Sequence, residues 1–245
     1  MRVNLKQNER VALVRGLFSR VAARYDLLNH LFSLGRDRFW RRAAAGRART
    51  FFTHRILDLA CGTGDLALAL AEAHPGAQVR GLDFTRPMLV RAKEKIARAG
   101  LEKRIDLVAA DALSLPFPDR SFDSVTIAFG IRNIPDRTRA LSEMLRVLAP
   151  GGRALILELA FPRRFFIRRV YDGYLNRLIP RLGRLISGQA LAYQYLADSI
   201  MDFPSPEELG GFMARCGFVR TGFKSYTFGV CTLHWGEKGK NPIDH

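Results

Sequence analysis

The apolar positions of the chain switch between short continuous runs and helical spacing, and the switches mark out alternating strands and helices. Ile56 to Ala60 is too short a run for a helix and reads as a buried strand. Leu66 to Ala71 opens an apolar helix, with Cys61-Gly-Thr-Gly64 as the turn between them. Gln78 to Leu82, ending at Asp83, is a second strand, and the next helix starts at Thr85, its expected cap, with Pro87 in its first turn. Ile105 to Ala110 makes a third strand closing at Asp111-Ala112, and Ser124–Phe129 a fourth that ends in Phe129-Gly-Ile-Arg-Asn133. A helix around Arg137–Leu148, a tight turn at Pro150-Gly-Gly-Arg153 and a fifth strand, Ala154–Leu159, continue the alternation. This order predicts a mostly parallel sheet with helices on both faces.

The flanks break the pattern. Residues 8–49 read as helical, with Val11, Val14, Leu17, Phe18 and Val21 at helical spacing. Tyr25 to Trp40 mixes aromatics, Asn and Gly too irregularly for a plain packing helix. A segment placed before the first strand can fold as a lid over the carboxyl ends of the strands, where ligands of such sheets bind; the alternative is a helical pair that only covers the core. From 161 to 186 there are seven arginines against one acid, interleaved with aromatics, which suits a membrane-surface or lid element. Ser205-Pro-Glu-Glu then begins a capped helix reaching Cys216, Val219–Lys224 and Thr227–Trp235 are the last strands, and Glu237 onward reads as a frayed tail. The expectation is one domain, with 1–50 as lid, 51–160 as cofactor-binding core, 161–204 as basic insertion, 205–236 as final helix and strands, and 237–245 as tail.

The turn at 61–64 carries the chemistry. Gly62 and Gly64 let a flat ligand approach the backbone, and the helix that follows aims N–H groups at it. Ala67 stands where a dinucleotide turn usually has its third glycine, which the looser pattern allows, whereas no Gly-Lys-Ser/Thr is present for a P-loop. Asp83, at the end of the second strand, is placed to accept ribose hydroxyls. Asp111, after the third, suits the exocyclic amine of an adenine, with Phe84, Met88 and Ala112 as flanking candidates. Arg132 and Asn133 lie where the fourth strand delivers side chains beside the reactive end of such a ligand, although loop residues there can equally serve only the backbone.

The formal charge of +16, carried mostly by arginines spread over 245 residues, favours a polyanion, nucleic acid or an anionic membrane surface, without choosing between them. Three cysteines, Cys61, Cys216 and Cys231, form no C-x-x-C pair or metal-ligand spacing and read as reduced thiols of a cytoplasmic protein. The N-terminus lacks the apolar core of a signal peptide, and no run is long and apolar enough to span a bilayer, so a soluble or peripheral protein is expected.

Two levels of resemblance follow. Asp58-x-x-x-Gly62-x-Gly64 resembles motif I of the S-adenosylmethionine-dependent methyltransferases, in which the acid faces the amino acid part of the cofactor. More specifically, Tyr25-Asp-x-x-Asn-x-x-x-Ser-x-Gly-x-x-Arg-x-Trp40, Phe129-Gly-x-Arg-Asn133, Arg146-Val-Leu-x-Pro-Gly-Gly-Arg153, Tyr193-x-Tyr-Leu-x-x-Ser-Ile200 and Thr227-x-Gly-x-x-x-x-Leu-His234 resemble the ubiquinone/menaquinone biosynthesis C-methyltransferase family. Leu28, Asp37 and Leu159-Ala160 depart from its usual Met, His and Phe-Ser, and Ala128 stands where some members have serine.

The resemblance implies a class I methyltransferase fold, a Rossmann-like, mostly parallel seven-stranded α/β sheet, and methyl transfer from S-adenosylmethionine to a ring carbon of a polyprenylated hydroquinone, without a metal. Demethylmenaquinol is the leading acceptor and a ubiquinol precursor the second. Gly62, Thr63, Gly64, Asp58, Asp83, Phe84, Met88, Asp111 and Ala112 are the implied cofactor residues; Arg132, Asn133, Tyr25 and Asp26 are the catalytic candidates, with Asp26 the alternative base. An anionic membrane surface at the inner face of the membrane and a second copy of the chain are the other partners considered; nucleic acid is not expected. A small-molecule O- or N-methyltransferase, or an RNA-directed one, is the rival reading.

Overall fold

The computed structural model describes residues 16–19, 22, 25–162, 164–178, 181 and 190–240. Seven strands form one sheet in the order β3-β2-β1-β4-β5-β7-β6. They are β1 Arg55–Leu59, β2 Gln78–Asp83, β3 Ile105–Ala109, β4 Phe122–Ala128, β5 Leu148–Leu159, β6 Val219–Tyr226 and β7 Cys231–Glu237. β1 to β5 run parallel to one another, and β7 is antiparallel to both β5 and β6. The order reverses between β1 and β4, so a crevice opens at their carboxyl ends, the usual ligand position in such sheets.

Helices α1 Tyr25–Phe32 and α2 Arg36–Ala45 precede the sheet. They are followed by α3 Asp65–Ala73, α4 Arg86–Arg98, α5 Arg137–Val147, α6 Phe165–Gly173, α7 Ala190–Met201 and α8 Pro206–Arg215, with a π-helical stretch at Tyr174–Leu178 after α6. Strand β1 shows why helices cover both faces. Ile56 packs into a core with Leu66, Leu70, Ala92 and Trp40, whereas Leu57 and Leu59 pack oppositely with Leu141, Met144 and Leu209. All of β1 beyond Arg55 is buried, and each such Leu or Ile contributes roughly 1.5–3 kcal/mol by leaving water. Among the described residues, no helix is long and apolar enough to cross a membrane.

The local chemistry departs from the sequence expectations in several places. Thr85 occupies the N-cap of α4, but its side chain caps nothing; its N–H instead donates to Asp83 Oδ1 at 2.8 Å. Ser205 and Glu208 do form a capping box on α8. The Pro150-Gly-Gly-Arg153 turn lies inside a longer β5: the pairing with β4 jumps from Phe122–Leu148 to Ser124–Arg153, and Gly151, at φ 76°, takes the left-handed step. Residues 227–229 form a 3₁₀ turn, so β7 begins at Cys231 rather than Thr227. Glu237 is not frayed. It is the last residue of β7, 6% exposed, and ion-pairs with Arg49 and Arg153, while Lys238 continues pairing with Gly151 and Gly152. Of the N-terminal apolar positions, Val11, Val14 and Val21 lie outside the described residues, as do residues 182–189 of the basic insertion and 241–245 of the tail.

Candidate active site

The turn after β1 is built from left-handed backbone. Ala60, Gly62 and Gly64 have φ of 47°, 55° and 84°. Ala60 departs from the β conformation expected there, because the chain must leave the sheet between Leu59 and the turn. Gly64 is the N-cap of α3, where an added Cβ would meet Ala92 Cβ at 3.3 Å. At the end of β4, Phe129 is likewise left-handed at φ 57°, and a Cβ on Gly130 would come within 2.8 Å of Ala60 Cβ. Strained or left-handed backbone at two adjacent strand ends is a recurring mark of ligand sites.

Asp83 locks the turn to β2. Its Oδ2 accepts the Gly62 N–H at 2.9 Å and its Oδ1 the Thr85 N–H. Burial pushes its carboxyl up, opposed by those two bonds. Each oxygen keeps acceptor capacity toward a ligand hydroxyl. Asp111 is exposed, and its Oδ1 accepts from Leu113 N at 2.9 Å. Tyr25, Gly62, Asp83, Phe84, Met88, Asp111, Ala112 and Asn133 all line one cleft.

A smaller cavity adjoins it around Asp58 and Thr63, sharing Tyr25 and Gly62. Asp58 is wholly buried. Its Oδ1 accepts from Thr126 Oγ1 at 2.9 Å, and its Oδ2 has no partner among the described residues. Burial, only partly offset by Thr126, raises its pKa to about 7. An orphaned buried carboxylate oxygen facing a cavity suits a cationic group, and the ammonium of a bound amino acid moiety fits that need.

The catalytic candidates are distributed unevenly. Tyr25, on α1, reaches over the cleft: its Cε1 is 4.0 Å from where a Gly62 Cβ would stand. Desolvation raises its phenol, so it stays neutral and able to donate. Asp26 points elsewhere, into an ion pair with Lys95 at 2.7 Å and a hydrogen bond from Thr63 Oγ1, and lines a separate polar cavity. Arg132 is buried against Glu158, itself fully buried; burial alone opposes the guanidinium charge, but Glu158 outweighs it and the pKa is raised. Its Nη1 also donates to Phe129 O at 2.8 Å. Asn133 Oδ1 accepts from the Tyr195 hydroxyl at 3.1 Å. Gly64 lines neither cavity and serves the turn.

Beside Arg132 the site continues into apolar space beneath α1. One cavity is lined by Phe32, Trp40, Tyr174, Leu175, Ile200 and Val230 among others. A second is bounded by Leu28, Arg132, Asn133, Tyr195 and Leu196.

Four residues here escaped the sequence reading. Glu158 and Thr126 were signalled as polar positions inside apolar strands, which need partners when buried. Arg41 pairs with Asp37 at 2.6 Å, sits over the Phe129 ring and lines the Asp58 cavity. Tyr195 figured in the resemblance without a role. Asp37, where the resembled pattern has histidine, is held well ionised, because Arg41 and its hydrogen bonds outweigh the cost of burial.

The model of the ubiE/COQ5 methyltransferase family matches residues 3–238. A demethylmenaquinone methyltransferase of Thermus thermophilus is 52% identical over 223 residues, 91% of this chain and 100% of that protein. A ubiquinone/menaquinone biosynthesis C-methyltransferase of Geobacter sulfurreducens is 48% identical over 92% of this chain and 88% of its own length. Among solved structures, an S-adenosylmethionine-dependent methyltransferase from Thermotoga maritima superposes with a TM-score of 0.61 at 22% identity, covering 91% of this chain and 98% of that one. Phosphoethanolamine N-methyltransferase 2 of Haemonchus contortus, in complex with S-adenosyl-L-methionine, gives 0.59 at 19% identity, over 81% of this chain and 52% of that one. At these identities the structural likenesses establish the fold.

Proposed function

The chain belongs to the ubiE/COQ5 methyltransferase family and is an S-adenosylmethionine-dependent methyltransferase, and from that premise we propose that it methylates a ring carbon of a polyprenylated hydroquinone. Demethylmenaquinol is the first candidate acceptor and a ubiquinol precursor the second. The observation that carries this reading is the apolar space beside Arg132 and Asn133, which gives a quinol ring at the cleft somewhere to extend an isoprenoid tail.

Bound in the cleft, S-adenosylmethionine supplies a methyl group already activated on a sulfonium. Asp58 Oδ2 meets its ammonium, Asp83 its ribose hydroxyls and Asp111 its adenine amine, while Phe84, Met88 and Ala112 flank the ring; Gly62, Thr63 and Gly64 shape the turn. The remaining residues serve the acceptor. A ring carbon becomes nucleophilic when the phenolic proton leaves, and overall one ring proton is lost for the methyl gained. Arg132, kept protonated by Glu158, cannot be the base. Its charge lowers the pKa of the acceptor hydroxyl and holds a water that carries the proton away. Asn133, oriented by Tyr195, and neutral Tyr25 fix that hydroxyl. The ion pair of Asp26 with Lys95 favours this scheme over one with Asp26 as base.

A hydrophobic acceptor resides in lipid, so the protein works as a peripheral enzyme on an anionic membrane from the cytoplasmic side. Exposed Arg164, Arg168 and Arg169 favour this; Arg163 lies outside the described residues. The test offers labelled methyl donor to reduced quinols, RNA and catechol-like phenols side by side. Label is expected in the quinol. Label in RNA or catechol with none in any quinol sinks the reading.

A further inference from the structure

The segments that line the apolar cavity beside α1 also carry large apolar side chains that face solvent. Leu34, Phe165, Phe166 and Phe228 are each between 76 and 81% exposed. They come from three separate segments, and the contacts between those segments bring them to one side. Tyr174, after α6, donates to Phe32 O at 2.7 Å, which ties α6 to the end of α1 just before Leu34. A Cβ on Gly229 would lie 3.8 Å from Pro162 Cα, which sets the Phe228 turn against the start of the α6 segment. Trp40 Nε1 donates to Thr227 Oγ1 at 3.1 Å, and Phe39 packs edge-on against Tyr226, which sets the same turn against α2. In the chain, Phe32 and Ser33 of the cavity lining directly precede Leu34, and Val230 of the lining follows Phe228 by two residues.

Two of the four are held out at a conformational cost. Leu34 has φ 51° and Phe228 φ 57°, left-handed backbone that disfavours large side chains and is tolerated by Gly and Asn. At these turns a polar Asn would relieve the backbone and suit water; the residues present do neither. Exposed Arg36 follows Leu34 by two residues on α2, and exposed Arg164, Arg168 and Arg169 accompany Phe165 and Phe166 on and beside α6, against the single acid Asp172 of that helix. Apolar side chains accompanied by arginines match a bilayer surface with anionic head groups: the former reach the acyl boundary, the latter the phosphates.

We propose that this set of side chains, centred on Leu34 and Phe228, is the face by which the enzyme seats on an anionic lipid bilayer, with the cavity mouth turned toward the lipid. It rests on the reading of the acceptor as a bilayer-resident prenylated hydroquinone, and extends the contact from the insertion to α1, α2 and the turn before β7. Presented this way, the acceptor passes from membrane to site without exposing its tail to water.

The test uses Leu34→Asn/Phe228→Asn, chosen because Asn suits left-handed backbone, so that folding is retained. The control is Phe51→Ser/Phe52→Ser, exposed apolar residues just before β1 at the amino edge of the sheet. Co-sedimentation with vesicles of phosphatidylcholine and phosphatidylglycerol is expected to fall about tenfold or more in the first variant, to stay unchanged in the second, and to weaken for all proteins at high salt or on phosphatidylcholine alone. Turnover of a long-chain quinol in those vesicles is expected to fall with it, while turnover of a water-soluble short-chain hydroquinone holds. Unchanged sedimentation of Leu34→Asn/Phe228→Asn, or an equal loss in the control, overturns the proposal. So does a shift in oligomeric state by light scattering with sedimentation intact, which assigns the face to self-association. Failure of the unaltered enzyme on every hydroquinone refutes the acceptor reading instead and is read independently of the vesicles.

Discussion

Asp58 should make cofactor binding release a proton. Without ligand, burial holds its pKa at about 7, and one oxygen lacks a partner among the described residues. An ammonium placed against that oxygen favours the ionised form and draws the pKa back toward the ordinary value of about 3.9. Near pH 6 roughly nine in ten molecules then carry a proton on Asp58 that binding expels, whereas near pH 8 roughly one in ten does. Affinity accordingly drops about tenfold per unit as pH falls below 7, or about 1.4 kcal/mol per unit. For the free protein the sign runs the same way. A carboxyl whose folded pKa is raised stabilises the fold fully only below its unfolded pKa, and that contribution is lost as pH rises to about 7, roughly 4 kcal/mol in all. Cofactor binding restores it. Calorimetric titration in buffers of different ionisation enthalpy counts the protons directly; it should be run between about pH 6 and 7, below the α-amino pKa of the ligand at about 7.7–8. S-adenosylhomocysteine, which keeps the ammonium but not the sulfonium, is expected to release as many protons as S-adenosylmethionine. No proton release near pH 6, or the same pH slope in a folded Asp58→Asn variant, would refute the argument.

Asp83→Ala is expected to weaken cofactor binding by about 1–3 kcal/mol through lost bonds to ribose and to the Gly62 N–H, and unchanged calorimetric affinity in a folded variant removes the assignment. Arg132→Lys should lose turnover with cofactor affinity retained, and Asp26→Asn should keep turnover across pH; the opposite pair of results makes the carboxylate the base. Glu158→Gln leaves a buried guanidinium without its counter-charge, so a drop in stability of about 3–5 kcal/mol is expected by denaturant titration; a loss under about 1 kcal/mol contradicts it.

The convergence of the strand-end residues on one cleft was legible in the sequence, because strand-end acids and a two-glycine turn are local patterns. Asp83, Phe84, Met88 and Asp111 reach one cleft because successive parallel strands end at one edge. What local patterns could not carry was partnership across the chain. Asp26 reads as an acid in an aromatic segment, yet Lys95, 69 residues later, claims it. Glu237 reads as the start of a polar tail, yet Arg49 and Arg153 bury it in the last strand. The turn at 227–229 was absorbed into a strand because Thr-Phe carries strong β propensity, and nothing local signals that Thr227 Oγ1 is wanted by Trp40.

The ion pairs on the back of the turn have a kinetic corollary. Lys95 bridges Asp26 of α1 to Asp65 of α3, and Arg41 of α2 lies 3.8 Å from the same Asp65 while gripping Asp37. The N-terminal helices that carry Tyr25 across the cleft are thus clasped to the body by charges in partial contact with solvent, and such contacts loosen as ions screen them. If departure of spent cofactor requires that clasp to loosen, its residence time is expected to shorten with ionic strength, and where departure limits the cycle, moderate salt is expected to quicken turnover; a residence time independent of salt refutes this.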